Sequence, residues 1–386
     1  MRKRSMLTLC IVAFTFTAGH AYQSMQLANP AIMPDKFAWQ LFIYINHPTK
    51  DYFRRWETWA TPDDLFNDPQ HTPQWRGRRK PPAILTVVTQ LDFIPTSTME
   101  APPSQTTAQR PEATAPGPGE LNCSESSALQ EIHLNKSLFN SIVDQDLWYL
   151  EGQENAFRKR ATITFPSDSI SVKTIWTPVL RCADTQGFCR EKEGKFDVLA
   201  GLQIASRRLK NWVWATFELE TNACRCHFIV CKDTFGANPS RSRDTSPIAH
   251  TPELKALFDD AGMGSEWEHI WKHYILVGTQ TAFIESTHDQ SIFDPTPTSL
   301  GNSISEARLK TKSSCITCHA RSSIGGDDTR LALVQQDCTG FQGTPKRSWF
   351  FTHTNQLKAL PLGFVWSLMR AKSRNDGQAI PPSDCK

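Results

Sequence analysis

The sequence predicts an α+β fold: a central, mostly antiparallel sheet flanked by helices, followed by a helical C-terminal segment built around Cys315-Ile316-Thr317-Cys318-His319. Three observations predict it. Four short runs, Ala161–Phe165, Ile170–Trp176, Val198–Ile204 and Trp212–Leu219, alternate or are rich in branched and aromatic residues, as strands are. Helical spacing of apolar residues appears before and after them. The strands and helices do not alternate regularly, which argues against a doubly wound parallel sheet.

The first residues read as a targeting signal. Arg2, Lys3 and Arg4 precede an apolar run from Met6 to Phe16 that is too short to span a bilayer, and small residues Gly19 and Ala21 follow. Residues 1–21 are expected to be a cleaved signal peptide, with a retained N-terminal anchor as the alternative. Bulky Leu9 beside Cys10 argues against lipid attachment there. No later segment approaches 18 uninterrupted apolar residues, so no other membrane span is expected.

Residues 22–94 form an N-terminal helical and aromatic segment. Phe37, Leu41 and Ile45, with Trp39 and Phe42, fit a buried helix, and Trp56 and Trp59 follow as core or interface aromatics. Residues 95–127 are rich in Pro, Ser and Thr and poor in large apolar side chains, which predicts a linker or insertion. The α+β core is expected over 128–285. There Leu129, Ile132, Leu138, Ile142 and Leu147 recur helically as far as Gly152, the four strand runs follow, and Thr251-Pro252-Glu253 marks an N-cap with Pro at the first helical position.

Residues 286–386 complete the chain as the segment bearing the cysteine motif. Within it, Leu300, Ile304, Ala307 and Leu309 predict a helix leading into Cys315. About 365 residues remain after processing, enough for one large domain or two.

Charge and cysteine content narrow the function. Without the signal, 39 basic residues face 39 acidic ones, so there is no broad electrostatic footprint for nucleic acid. The run Arg76-Gly77-Arg78-Arg79-Lys80 fits a solvated loop better than a docking patch. Eleven cysteines suit an exported, oxidised protein. Setting aside Cys10, Cys315 and Cys318 leaves Cys123, Cys182, Cys189, Cys224, Cys226, Cys231, Cys338 and Cys385, an even set able to form disulfides. Cys182 with Cys189 is the favoured pair, because Asp184, Gln186 and Gly187 suit a tight loop; the pairing among Cys224, Cys226 and Cys231 cannot be read.

The Cys315–His319 segment has the form of a c-type haem attachment site. Two thiols add across the haem vinyl groups, and the histidine after the second cysteine coordinates the iron. On a helical turn Cys315, Cys318 and His319 are i, i+3 and i+4, so all three project from one face. This makes residues 286–386 the haem-bearing segment, with one covalent haem c as cofactor. A zinc knuckle lacks a second C-x-x-C partner, and a thioredoxin-type dithiol lacks a preceding βαβ unit.

For the second axial ligand the candidates are Met369, His353 and His227, or none. Met369 lies 50 residues after His319 but also suits a packed helix. His269 and His273, at i and i+4, have chelating spacing, but Trp267, Ile270, Trp271, Tyr274 and Ile275 place them on the solvated side of one helix. No G-x-S-x-G, P-loop or dinucleotide motif is present.

The segments Phe37–Ile43, Trp56–Trp59, Ser171–Trp176, Asn211–Glu218 and Ser314–Ala320 together resemble a family of exported bacterial proteins known only as c-type cytochrome-like. The resemblance covers most of the chain after the signal. It implies haem attachment at Cys315 and Cys318, a proximal iron ligand in His319, and a periplasmic or otherwise exported location. It brings no substrate. By that resemblance, relatives often carry histidines around Val198–Glu220, where this chain has Gln203 and Leu219 and adds Cys224, Cys226 and Cys231. The expected function is single-electron transfer between redox partner proteins. The alternatives are a haem enzyme or small-ligand sensor with an open iron site, and a disulfide-stabilised binding protein.

Overall fold

The computed structural model describes residues 26–77, 128–192, 194–222, 224–243, 248–285, 296–306, 312–326, 329–332, 334–335 and 339–380. The expected signal peptide and the 95–127 linker lie outside these residues, as do Cys123, Cys338 and Cys385. Of the basic run, Arg76 and Gly77 are described and exposed.

Helix α1, Pro34–Asn46, forms where the apolar spacing predicts it, with Pro34 opening its first turn. Two short helices bracket the first strand: α2, Pro62–Phe66, before it, and α3, Lys136–Asp144, capped by the Asn135 side chain, after it. Helix α4 runs Leu150–Arg158.

The sheet is antiparallel throughout. Its strands are β1 (Leu129–Leu134), β2 (Ile170–Val179), β3 (Cys189–Lys192), β4 (Lys195–Ser206) and β5 (Val213–Leu219). Two small ribbons follow: β6 (Cys231–Lys232) pairs with β8 (Arg241–Ser242), and β7 (Ala237–Asn238) with β9 (Ala249–His250). Strand β10, Tyr274–Gln280, then returns to the main sheet, whose order is β1-β2-β4-β5-β10 with β3 also on β4. Helices α5 (Pro252–Asp260) and α6 (Gly264–His269) fill the interval before β10. Thr251 caps α5 by accepting the Leu254 N–H, as its sequence predicts.

Four expectations need correction. Leu129 and Ile132 belong to β1, and only Leu138 and Ile142 lie on the helix that follows. Ala161–Phe165 forms no strand; its aromatic end, Phe165, instead joins the core against Trp212. Tyr274 and Ile275 are in β10, because the helix ends at His269 and a 3₁₀ turn over Trp271–His273 redirects the chain. Leu300 leads into turns, and no helix forms over 300–306; Ala307 and Leu309 lie outside the described residues.

After β10 the described chain is mostly irregular. It holds α7 (Cys315–His319), α8 (Arg347–Phe350), a 3₁₀ turn at Trp366–Arg370, and the ribbon of β11 (Ser323–Gly325) with β12 (Ala359–Pro361).

The two faces of the sheet pack differently. On one, Val172, Trp176, Leu202, Ile204, Val213, Ala215, Phe217 and Leu276 meet α1, α5 and α6 in one aromatic-rich core. On the other, Ala205, Trp214, Ile275 and Val277 join a second core with Ile316, Leu300, Leu360 and Leu368. This second face carries the motif. The C-terminal segment is therefore folded against the sheet: Gln153 of α4, for instance, donates to the Leu368 carbonyl at 2.8 Å.

Candidate functional site

Helix α7 is short, and its first turn needs outside help to satisfy backbone donors. Gln280, at the end of β10, provides it: its Oε1 accepts the Ile316 N–H at 2.9 Å while its Nε2 donates to Ser314 Oγ at 2.8 Å. Thr317 Oγ1 donates to the Gly343 carbonyl at 2.8 Å. Ile316, Thr317 and Ala320 point into the core, whereas Cys315, Cys318 and His319 share a half-buried face. The i, i+3, i+4 spacing thus has the predicted effect.

Neither Cys315 nor Cys318 is in a disulfide, and the Cys315 thiol donates to the Leu300 carbonyl at 3.5 Å. Every other described cysteine is bonded: Cys182 with Cys189, as expected from the tight loop, Cys226 with Cys231, and Cys224 in a further disulfide. Burial pushes the Cys315 thiol well above its usual range, and Cys318 up to about 12. Such thiols stay protonated, unlike the activated thiolate of a redox dithiol.

His319 is fixed from two sides. Its ring lies 4.3 Å from that of Trp214 on β5. Its Nδ1 is 2.9 Å from the Phe364 carbonyl, so Nδ1–H donates there, and Nε2 makes no hydrogen bond within the described residues. Burial lowers its pKa to about 4, keeping the imidazole neutral as a metal ligand must be. The carbonyl is aimed by two consecutive left-handed residues, Gly363 (φ 61°) and Phe364 (φ 73°). Phe364 is a non-glycine in a strained region, and a Cβ on Gly363 would lie 2.7 Å from the Phe165 ring. Trp366 Nε1 donates to the Cys318 carbonyl at 3.1 Å, tying the same segment to α7.

Polar side chains on the sheet border the motif. Lys173, Gln203 and Thr216 sit opposite one another across β2, β4 and β5. Glu306 accepts from Lys173 Nζ at 3.0 Å and from Gln203 Nε2 at 3.2 Å. Burial pushes Glu306 upward, but the Lys173 ammonium and the hydrogen bonds outweigh it and hold the carboxyl below its usual range. Glu218 accepts from the Ser303 N–H at 2.7 Å and its hydroxyl at 2.5 Å, and burial raises its pKa. Gly201 is required here, since a Cβ would come within 2.6 Å of Asn302 Nδ2. A small cavity of about 20 Å³, lined by Glu218, Glu306, Asn302, Ser303 and Ser313, adjoins this cluster.

The candidate second ligands are scattered. His227 and His353 are exposed, and neither makes a ring contact or hydrogen bond with α7. Met369 is buried in the 3₁₀ turn Trp366–Arg370. The pair His269 and His273 does not share one helix face: His273 is half-buried and bonds Glu220 at 2.5 Å, while His269 ends α6. Among the described residues no three His, Cys, Asp or Glu converge as a metal cage.

Two cysteines outside any disulfide and one imidazole whose Nε2 makes no hydrogen bond among the described residues, on one half-buried face, form a donor set that fits a c-type haem: Cys315 and Cys318 would supply the thioether links and His319 an iron ligand. Sequence reasoning missed Trp214, Gln280 and the Phe364 carbonyl, none of which carries a local signal. Compared with models of known protein families, with curated proteins and with solved structures, the chain matches none.

Proposed function

We propose that this chain is an exported c-type haem protein that carries single electrons between two redox partners, with one haem bonded through Cys315 and Cys318 and its iron held by His319. The observation that carries the reading is the arrangement of His319: Nδ1 donates to Phe364 O while Nε2 makes no hydrogen bond among the described residues, on the helix face it shares with Cys315 and Cys318, neither of them in a disulfide. That division of the two nitrogens is how a ligating histidine is held. Attachment needs no oxidant, since each thiol adds sulfur to one vinyl carbon and its proton to the other. Bound there, haem supplies a one-electron iron couple. The residues of the chain do the rest: Trp214 and the Phe364 carbonyl orient the imidazole, Gln280 holds the start of α7, and burial keeps His319 unprotonated.

The disulfides support an oxidising compartment. No described helix is long and apolar enough to cross a membrane. Both agree with the signal-like N-terminus and with the c-type cytochrome-like resemblance, and the periplasm is the compartment proposed.

A second reading, a haem enzyme or small-ligand sensor with an open iron position, is favoured by one specific feature. Among the described residues the candidate second ligands are scattered: His227 and His353 are exposed and make no hydrogen bond or ring contact with α7, and Met369 is buried in the 3₁₀ turn Trp366–Arg370. An iron held by His319 would then be available to a small ligand.

Purified exported protein should gain the mass of one haem and give a c-type pyridine haemochrome spectrum; absence of either sinks the proposal. Rapid carbon monoxide binding to the reduced protein would select the open-iron reading, and a ligand-insensitive six-coordinate spectrum the carrier.

A further inference from the structure

Arg321 follows the motif by two residues and retains only 5% of its surface exposed. Its guanidinium carbon lies 3.6 Å from the centre of the Phe341 ring and 4.4 Å from that of Trp349, and its Nε donates to the Ala332 carbonyl at 2.9 Å. The aromatic rings cover the cation, but its two terminal nitrogens make no hydrogen bond or ion pair among the described residues. Other buried arginines of this fold are met differently. Arg190 is paired with Glu131 at 2.9 Å and Asp197 at 3.4 Å, and Arg330 donates to Ser323 O, Ile380 O and Gln153 Oε1.

A guanidinium does not shed its proton to escape burial, and a cation withdrawn from water without a counter-charge is costly. Stacking on aromatic faces offsets part of that cost and leaves the forked edge open for two parallel hydrogen bonds to an oxyanion. Among the described residues no carboxylate meets it. Arg321 lies three residues beyond Cys318, so a cofactor bonded to that cysteine enters the same part of the fold.

We propose that Arg321 is an anion anchor that holds a carboxylate arriving with the cofactor, a haem propionate. This rests on the haem reading for the source of the carboxylate, though not for the anchor itself. A free oxyanion shares the chemistry, and the test separates the two sources.

Wild type, Arg321→Met and Arg321→Lys full-length proteins are compared in two arms. In the first, the haem-loaded proteins are titrated potentiometrically. Loss of the cation favours the oxidised form, so Arg321→Met should lower the midpoint potential, equivalent to about tenfold in the oxidised-to-reduced ratio at fixed poise, with Arg321→Lys between. In the second, protein from cells unable to attach haem is titrated with acetate and with phosphate, and the thermal midpoint is followed. A rise in wild type that Arg321→Met lacks assigns the anchor to free oxyanions. If Arg321→Met does not fold, Arg321→Lys decides, since loss of the planar fork should weaken either response several-fold. An unchanged potential together with no Arg321-dependent anion effect overturns the proposal. Wild type without haem defeats the haem reading alone, because the anion arm still runs.

Discussion

The two faces of the central sheet solve opposite problems. Toward α1, Trp39, Phe42, Phe217, Phe258, Trp271 and Tyr274 interlock, with ring centroids of the Trp39–Phe217 and Phe42–Phe217 pairs at 4.9 and 4.5 Å. Polar groups there serve the packing: Asp233 accepts from the Trp39 indole at 2.7 Å, and Tyr274 donates to the Leu199 carbonyl. Toward α7, the same strands present Lys173, Gln203, Thr216 and Glu218, with Trp214 as the aromatic against His319. One face is closed by apolar burial; the other spends its positions on a polar, half-open site. The difference teaches that fold stability and chemistry are separable here, because residues alternate across a strand and each face is selected independently.

That separation can be broken by mutation. The largest effect is expected on the closed face: Trp39→Ala should destabilise the chain by about 3–5 kcal/mol in urea unfolding, and a near-neutral result would show that the aromatic core is not what holds the sheet. Next comes Asp233, whose pKa burial raises to about 6. A carboxyl raised on folding adds stability that is complete below its ordinary value near 4 and lost as pH climbs through 6. The wild type should therefore lose up to about 3 kcal/mol between pH 4 and 7 from this group, a loss missing from the pH profile of Asp233→Asn; parallel profiles would contradict it.

The open face should respond more mildly in stability and more sharply in chemistry. Gln280→Ala removes the acceptor for Ile316 N–H and should cost about 1–3 kcal/mol, together with reduced haem retention by the exported protein, read from the haemochrome per chain. Smallest in stability is the double change Cys315→Ala, Cys318→Ala. These half-buried thiols should contribute less than about 1 kcal/mol to unfolding of the haem-free chain, while covalent haem is lost entirely. A large stability loss without haem would mean that the two faces are not independent.

Local signals in the sequence were legible where one element sufficed. The α1 spacing, the Thr251 cap, the β2, β4 and β5 strands and the Cys182–Cys189 loop all follow from neighbours within a few residues. Errors arose where tertiary partners overrode a local pattern. Leu129–Leu134 is a strand because β2 offers it an antiparallel edge, with Leu129 opposite Trp176. Tyr274–Gln280 is a strand because β5 is open on that side, despite the helical spacing that leads into it from Trp267. Ala161–Phe165 alternates like a strand but has no edge to join.

The sequence by itself determined that two thiols and an imidazole lie on one face, since i, i+3 and i+4 can do nothing else within a helical turn. It also determined which cysteines could close a short loop. Only the tertiary structure decided how His319 is held. Trp214, Gln280 and Phe364 lie 105, 39 and 45 residues away in the chain, and no period or spacing links them to the motif. The same holds for Arg321, whose position is visible in the sequence but whose aromatic cradle comes from Phe341 and Trp349. Local geometry is set by bonded neighbours, but the electrostatic surroundings of a side chain depend on which distant segments pack against it.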